Sequence, residues 1–190
     1  MVPTPWPSTG ALNRLVTKSS GYFIYATTII KFIDDKNYRP TERLERIENL
    51  DGTEFDSPFG ALDQLYTQIL RDVPLRLDLL RILRVIVHYR FSLQHIEQLL
   101  KLKPGDVRLI LRHLNSILAV PSSPDSRVNS HHASFYDFLR DSTRSGIFYV
   151  DDLHGRMDLA RSFLKSLSYT HDDPALNRAG HIGWCVSIVI

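Results

Sequence analysis

Ser116-Ile-Leu-Ala-Val120, a Pro/Ser/Asp connection over 121–126, and Arg127-Val-Asn-Ser-His-His-Ala-Ser-Phe-Tyr-Asp-Phe-Leu139 decide the fold. Two short runs able to pair, joined by proline- and serine-rich sequence, read as a β-hairpin. Ser134-x-x-Asp137 has the pattern of a capping box, so a short helix restarts directly after the second strand. Three helical segments stand before the hairpin. Leu77 to Tyr89 carries Leu77, Leu79, Leu80, Ile82, Leu83, Val85, Ile86 and Val87, which leaves few polar positions and predicts a central helix covered on most sides. Ser92 is placed to cap Leu93 to Leu102, whose apolar face is Leu93, Ile96, Leu99 and Leu100. Pro104-Gly105-Asp106 opens a third helix, Asp106 to Asn115, with Val107, Ile110, Leu111 and Leu114 inward. Helix, helix, helix, strand, loop, strand is the order of a winged helix.

Working outward, the sequence before this unit reads as a small helical bundle. Leu12, Leu15, Val16, Tyr22, Phe23, Ala26, Ile29, Ile30 and Ile33 form a helical stripe from about Ala11 to Asp35, interrupted at Ser19-Ser20-Gly21. Those three poor helix formers predict two helices at an angle, with Ser19 or Ser20 capping the second near Tyr22. Pro40-Thr41 opens a short helix to about Leu50, closed by Asp51-Gly52. Asp56-Ser57-Pro58 starts another, with Phe59, Leu62, Leu65, Tyr66, Ile69 and Leu70 on one face through Arg71. Beyond the hairpin, Leu153 to Leu167 repeats Met157, Leu159, Ala160, Phe163, Leu164 and Leu167 at helical spacing. The chain is therefore mainly α: a proline-rich stretch over 1–10, a helical bundle over 11–72, a winged helix over 73–141, a helical segment over 142–170, and an irregular tail over 171–190 that reads as truncated.

Composition narrows the class. The chain is 43% hydrophobic and 23% charged, an ordinary globular balance. Its net charge of +2 is too small for the whole-molecule attraction of a dedicated nucleic-acid binder. Cys185 is the single cysteine and no Cys/His cluster has zinc-finger spacing, which excludes an internal disulfide and a structural zinc site and favours a cytoplasmic setting. No segment has the length and apolarity of a membrane span.

Four blocks carry a resemblance: Ser20-Gly-Tyr-Phe-Ile-Tyr-Ala-Thr-Thr-Ile-Ile-Lys-Phe-Ile33, Ser57-Pro-Phe-Gly-Ala-Leu-Asp-Gln-Leu-Tyr66, Leu80-Arg-Ile-Leu-Arg-Val-Ile-Val87 and His131-His-Ala-Ser-Phe-Tyr-Asp-Phe-Leu139. In order and spacing, over roughly Leu12 to Leu167, they resemble the lid and winged helix of fungal NACHT-domain proteins, signal-transduction NTPases distantly related to animal and plant nucleotide-binding immune receptors. The resemblance implies a regulatory piece of a switch that is closed with ADP and oligomerises with ATP. It implies as partner a P-loop nucleotide-binding domain, in the same or a separate chain, and a homo-oligomer for the complete protein. ADP or ATP is implied only for that complete switch. This chain contains no Gly-x-x-x-x-Gly-Lys-Ser/Thr, so it lacks the loop that cradles phosphates, and no catalytic residue or cofactor is expected in isolation.

Residue by residue, the histidine of the family's Met-His-Asp-like motif falls on His132, with His131 in the methionine place and Ala133 in the aspartate place; it implies contact with the β-phosphate of ADP. Gly21-Tyr22-Phe23 resembles the glycine-leucine-proline start of the lid helix, which implies an adenine contact near Gly21 and Phe23, with Phe23 standing where proline would be. The bland readings are a corner-filling His132, a surface His131 and a helix-breaking Gly21. Ser134, His132 and Asp137 are not a hydrolytic triad, since capping already accounts for the serine and the aspartate. The alternative reading is a stand-alone winged-helix module for protein or DNA. In that case the third helix would offer Arg108, Arg112 and His113 to a major groove, a modest patch without amide side chains for base edges.

Overall fold

The structure is a computed structural model, and it describes residues 6–19, 22–50, 59–74 and 76–172. The fold class follows the sequence: the described residues are mainly helical, with one two-stranded antiparallel hairpin among them. Gly21, the Asp51-Gly52 turn, the Asp56-Ser57-Pro58 start and the tail from 173 lie outside the described residues.

The bundle begins with α1 (Thr9–Ser19), which Ser8 caps by accepting the Ala11 N–H at 3.2 Å, and α2 (Phe23–Ile33). The interruption between them is where the poor helix formers fall. Ser19 is not the cap of α2, however: its hydroxyl donates back to the Val16 carbonyl, and the N-cap position is Tyr22, with no side-chain bond. Then come α3 (Pro40–Glu48), with proline in its first turn, and α4 (Gly60–Arg71). On α4 the expected stripe of Leu62, Leu65, Tyr66, Ile69 and Leu70 is buried, whereas Phe59, just before the helix, is 40% exposed. On α1 and α2 the stripe is split. Of its members Ile29 is buried while Leu12, Val16, Phe23 and Ile30 are exposed, and Tyr25, Thr28 and Phe32, which the stripe left out, point inward, so the buried face of α2 is turned from the one the period marked.

The winged unit is built from α5 (Arg76–His88), α6 (Leu93–Leu100), α7 (Asp106–Leu111), a 3₁₀ turn (Arg112–Leu114), and strands β1 (Leu118–Ala119) and β2 (Asn129–Ser130). Leu118 pairs with Ser130 and Ala119 with Asn129. An isolated bridge between Ser92 and Arg127 joins the entry of α6 to the hairpin, and the Leu93 and Gln94 N–H groups donate to the Ser126 and Pro124 carbonyls. Ser92 caps α6 as expected, its hydroxyl accepting from the His95 N–H.

Two local devices fix the α6–α7 turn. Lys101 takes a left-handed conformation (φ 56°), which stops α6 at Leu100 rather than Leu102, and Gly105 (φ 93°) turns the chain into α7, a conformation glycine adopts without steric cost. Buried Glu97 then reaches across from α6, its Oε1 accepting the Gly105 N–H at 2.8 Å and the Val107 N–H at 3.3 Å. A carboxylate on the first amides of a helix satisfies orphan donors and complements the helix dipole.

After the hairpin, α8 (Ser134–Arg140), α9 (Ser142–Ser145), a 3₁₀ turn (Gly146–Phe148) and α10 (Leu153–Asp172) close the structure. The capping box at Ser134 does not form. The N-cap position is Ala133, and the Ser134 hydroxyl is turned inward toward α4. Leu159 and Gly155 of α10 face the winged unit, with Phe163 against Tyr89 and Phe91; Met157, Ala160 and Leu164 of the expected stripe are exposed. The buried side chains from Tyr25 of α2 to Leu159 of α10 form one cluster, so bundle and winged unit share a continuous core.

Candidate functional site

The corner between β2 and α8 is made by Ser130, His131, His132 and Ala133. The Ser130 N–H donates to the Tyr136 hydroxyl at 2.8 Å, and the Ser130 hydroxyl donates to the His132 carbonyl at 2.6 Å, which folds the chain back on itself before the helix. His131 is exposed, and its Nε2 pairs with the Asn115 carbonyl at 2.9 Å, an anchoring role.

His132 is exposed too, but its ring is fixed from behind. Nδ1 accepts the Ser134 N–H at 3.1 Å and lies 2.7 Å from Ser134 Oγ. An imidazole nitrogen that accepts a backbone N–H carries no hydrogen of its own, so the Ser134 hydroxyl also donates to it. The neutral ring therefore holds its proton on Nε2. With its hydrogen used in this way, Ser134 Oγ accepts from the hydroxyl of Tyr66, 2.9 Å away. Tyr66 is 1% exposed, and burial pushes its phenol up from the ordinary value, so it remains a donor. A relay Tyr66–Ser134–His132 thus runs from the bundle helix α4 into the wing corner. Tyr66 also packs against Phe135 and Phe138, at 5.1 and 5.4 Å between ring centres. Nearby, Arg144 of α9 holds Asp63 of α4 through two parallel hydrogen bonds of 2.9 and 2.7 Å.

This arrangement presents an oriented N–H donor and no nucleophile. In a hydrolytic triad a carboxylate orients the histidine through the nitrogen opposite the serine; here serine itself occupies Nδ1 and Asp137 is exposed on α8. Among the described residues no group of three or more His, Cys, Asp or Glu side chains could hold a metal.

The other expected residues fall elsewhere. Phe23 opens α2 and is 81% exposed; Tyr22 beside it touches the Phe59 ring at 5.7 Å. Gly21 lies outside the described residues. The third helix is short, and its three basic residues are engaged within the chain. Arg108 donates to the Ser122 carbonyl of the wing loop, Arg112 Nε donates to His113 Nε2 at 3.1 Å, and the other ring nitrogen of His113 bonds the Tyr38 hydroxyl. Burial and Arg112 hold the His113 imidazole below its ordinary value.

Tyr38 leads to a cluster that sequence reasoning did not reach. Its ring stacks on the guanidinium of Arg43, 3.5 Å from the ring centre, with Phe32 on the other side at 3.9 Å. Arg43 is 1% exposed and pairs with Asp72 at 2.9 Å, yet its Nε and Nη2 are buried without hydrogen-bond partners. Spacing gave no signal for this cluster or for the Tyr66–Ser134 pair, whose members are 68 positions apart. No family model, no curated protein and no solved structure matches the chain.

Proposed function

We propose that this chain is a non-catalytic regulatory part of a NACHT-type signalling NTPase, in which bundle and winged helix close over a nucleotide held by a P-loop domain, and His132 reads the β-phosphate of ADP. The observation that carries this reading is the relay behind His132: Tyr66 and Ser134 fix the tautomer and leave the hydrogen on Nε2 of an exposed ring, as a donor to an oxyanion requires. The relay also joins the two parts of the chain that would close together, the lid-like bundle through α4 and the winged helix through the β2–α8 corner. The exposed Phe23, Val16 and Ile30 supply apolar surface for the P-loop domain. The mechanism is a population shift, in which ADP favours the closed arrangement that includes the His132 contact.

The test adds a separately expressed P-loop core to this chain and measures ADP retention. A charge-assisted hydrogen bond contributes about 1.5–3 kcal/mol, so His132→Ala should speed ADP release about tenfold or more. Equal retention with His132 and His132→Ala refutes the sensor role. DNA recognition is disfavoured by the internal bonds of Arg108, Arg112 and His113, and its signature, duplex binding that steepens as salt falls, should not appear.

A further inference from the structure

One face of α10 holds it to the rest of the chain. Gly155 lies against the Arg84 guanidinium, which in turn holds Asp152; Leu159 is buried, and Phe163 meets the Tyr89 and Phe91 rings at 5.1 and 5.9 Å between centres. On the other side Leu153 is 74% exposed, Met157 48% and Leu164 66%, and Ala160 stands exposed between them. Their spacing of four, three and four residues is the a/d register of a coiled coil. At 3.6 residues per turn they fall within an arc of about 60° and run for about 16 Å along the helix. A seam this narrow, with no aromatic ring in it, suits the ridge of a second helix. A membrane surface calls for a wider apolar face with bulky anchors.

Charge decides which helix. The polar positions that border the seam are Arg156 on one side and His154 and Arg161 on the other, all exposed, with no carboxylate of α10 among them. Asp158 lies one row farther out, 3.0 Å from Arg161 and 3.4 Å from His154, and Asp151, before the helix, is 4.0 Å from Arg156. Exposed pairs of this kind contribute little and leave both guanidinium groups largely exposed, open to carboxylates from outside. A second copy of this chain does not supply them. Parallel pairing of two copies sets Arg156 of one against Arg161 of the other, and antiparallel pairing sets Arg161 against His154. Neither arrangement brings a carboxylate to the border.

We propose that the outer face of α10 is a docking site for an amphipathic helix of a partner protein, with leucine-type residues in the a/d register and glutamate or aspartate along both borders. Leu153, Met157 and Leu164 make the apolar contact, and Arg156 and Arg161 select the partner by charge. The assignment does not rest on the function proposed above.

The experiment titrates the full 190-residue chain, by calorimetry, with a synthetic peptide of about three heptads carrying Leu at a and d and Glu at e and g, and with a counterpart carrying Lys at e and g. The acidic peptide should bind saturably at one site and at least about tenfold more tightly than the basic one, and weaken severalfold as salt rises from about 0.05 to 0.5 M. Leu164→Gln, at an exposed position that leaves the circular dichroism unchanged, should weaken it about tenfold. Arg161→Glu should narrow or reverse the preference between the two peptides. Leu12→Gln, on the exposed side of α1, should change nothing. Equal affinity for the two peptides, indifference to Leu164→Gln, or an equal loss with Leu12→Gln overturns the proposal. So does another occupant of the seam: a dimer in sedimentation that Leu164→Gln dissolves, or binding to phosphatidylcholine–phosphatidylserine vesicles that Leu164→Gln abolishes. Acidic-peptide affinity that rises on combining Val186→Ser, Ile188→Ser and Ile190→Ser would put the chain's own last residues there, and overturns it equally.

Discussion

Arg43 offers a sharp test of what holds the bundle together. Its guanidinium lies between Phe32 and Tyr38, makes one 2.9 Å bond to Asp72, and leaves Nε and Nη2 buried and unpartnered. Two unsatisfied donors cost about 1–3 kcal/mol each, comparable to what two desolvated aromatic faces return at about 2 kcal/mol each. Asp72 does not depend on Arg43 alone: Arg46 Nη1 lies 2.9 Å from its Oδ1 and Gln68 donates to the same oxygen at 3.3 Å. Arg43→Met keeps an unbranched stem between the two rings, adds sulfur–aromatic contact and removes the unsatisfied donors. It should lie within about 1.5 kcal/mol of the parent, as replacements of buried charges by apolar residues of similar volume often do. Arg43→Ala removes the stem as well and leaves a hole between Phe32 and Tyr38, for about 3–5 kcal/mol. Urea unfolding followed by circular dichroism measures both, provided the slope m is unchanged. If Arg43→Met costs as much as Arg43→Ala, the polar bonds of the guanidinium outweigh its packing and the reasoning fails.

Two further outcomes follow from the structure. A Cβ on Gly155 would lie 2.1 Å from Arg84 Cζ, so Gly155→Ala must push that guanidinium away from Asp152; it should destabilise by about 1–3 kcal/mol where Gly→Ala inside a helix normally stabilises, and a gain in melting temperature would contradict the packing. His88 and His113 are both held below the ordinary imidazole value of 6.5, in each case chiefly by burial, so the unfolded chain binds protons that the folded one refuses. Stability should therefore be level above about pH 7 and fall as pH drops through about 6.5 toward the depressed folded values. His113→Gln should flatten part of that slope in unfolding curves taken at several pH values, and an unchanged slope would exclude His113 as a contributor.

What the sequence disclosed was local. Ser92 at the mouth of α6, Pro104-Gly105 before α7 and most of the apolar periods of α4 and α5 act within one or two turns, and the structure places them as read; the first member of each stripe, Phe59 and Leu77, is instead exposed, at 40% and 81%. The hairpin between Ile117 and His132 was legible for the same reason. Periodicity failed on α1, α2 and α10, where Leu12, Val16, Phe23, Ile30, Met157 and Leu164 share the spacing of core residues but face outward. A stripe states which residues share a side and not whether a neighbour covers it. Ser134 was misjudged because a capping pattern is a local argument, and the buried Tyr66 hydroxyl, arriving from another helix, competed for the same oxygen. Glu97, Arg43 and Arg140 were invisible for a related reason. Each is a charged side chain whose role depends on a backbone or carboxylate group brought to it only by folding.

The aromatic contact between Tyr66 and the pair Phe135 and Phe138 has a mechanical consequence. Parting α4 from α8 would wet three rings that are each at most 1% exposed, at roughly 1.5–3 kcal/mol for a fully uncovered ring, and would sever the Asp63–Arg144 fork in the same movement. A joint of this kind does not yield by degrees. It stays shut under weak loads and gives way all at once, so a trigger acting across it is filtered by a threshold, and thermal noise below that threshold leaves the latch undisturbed.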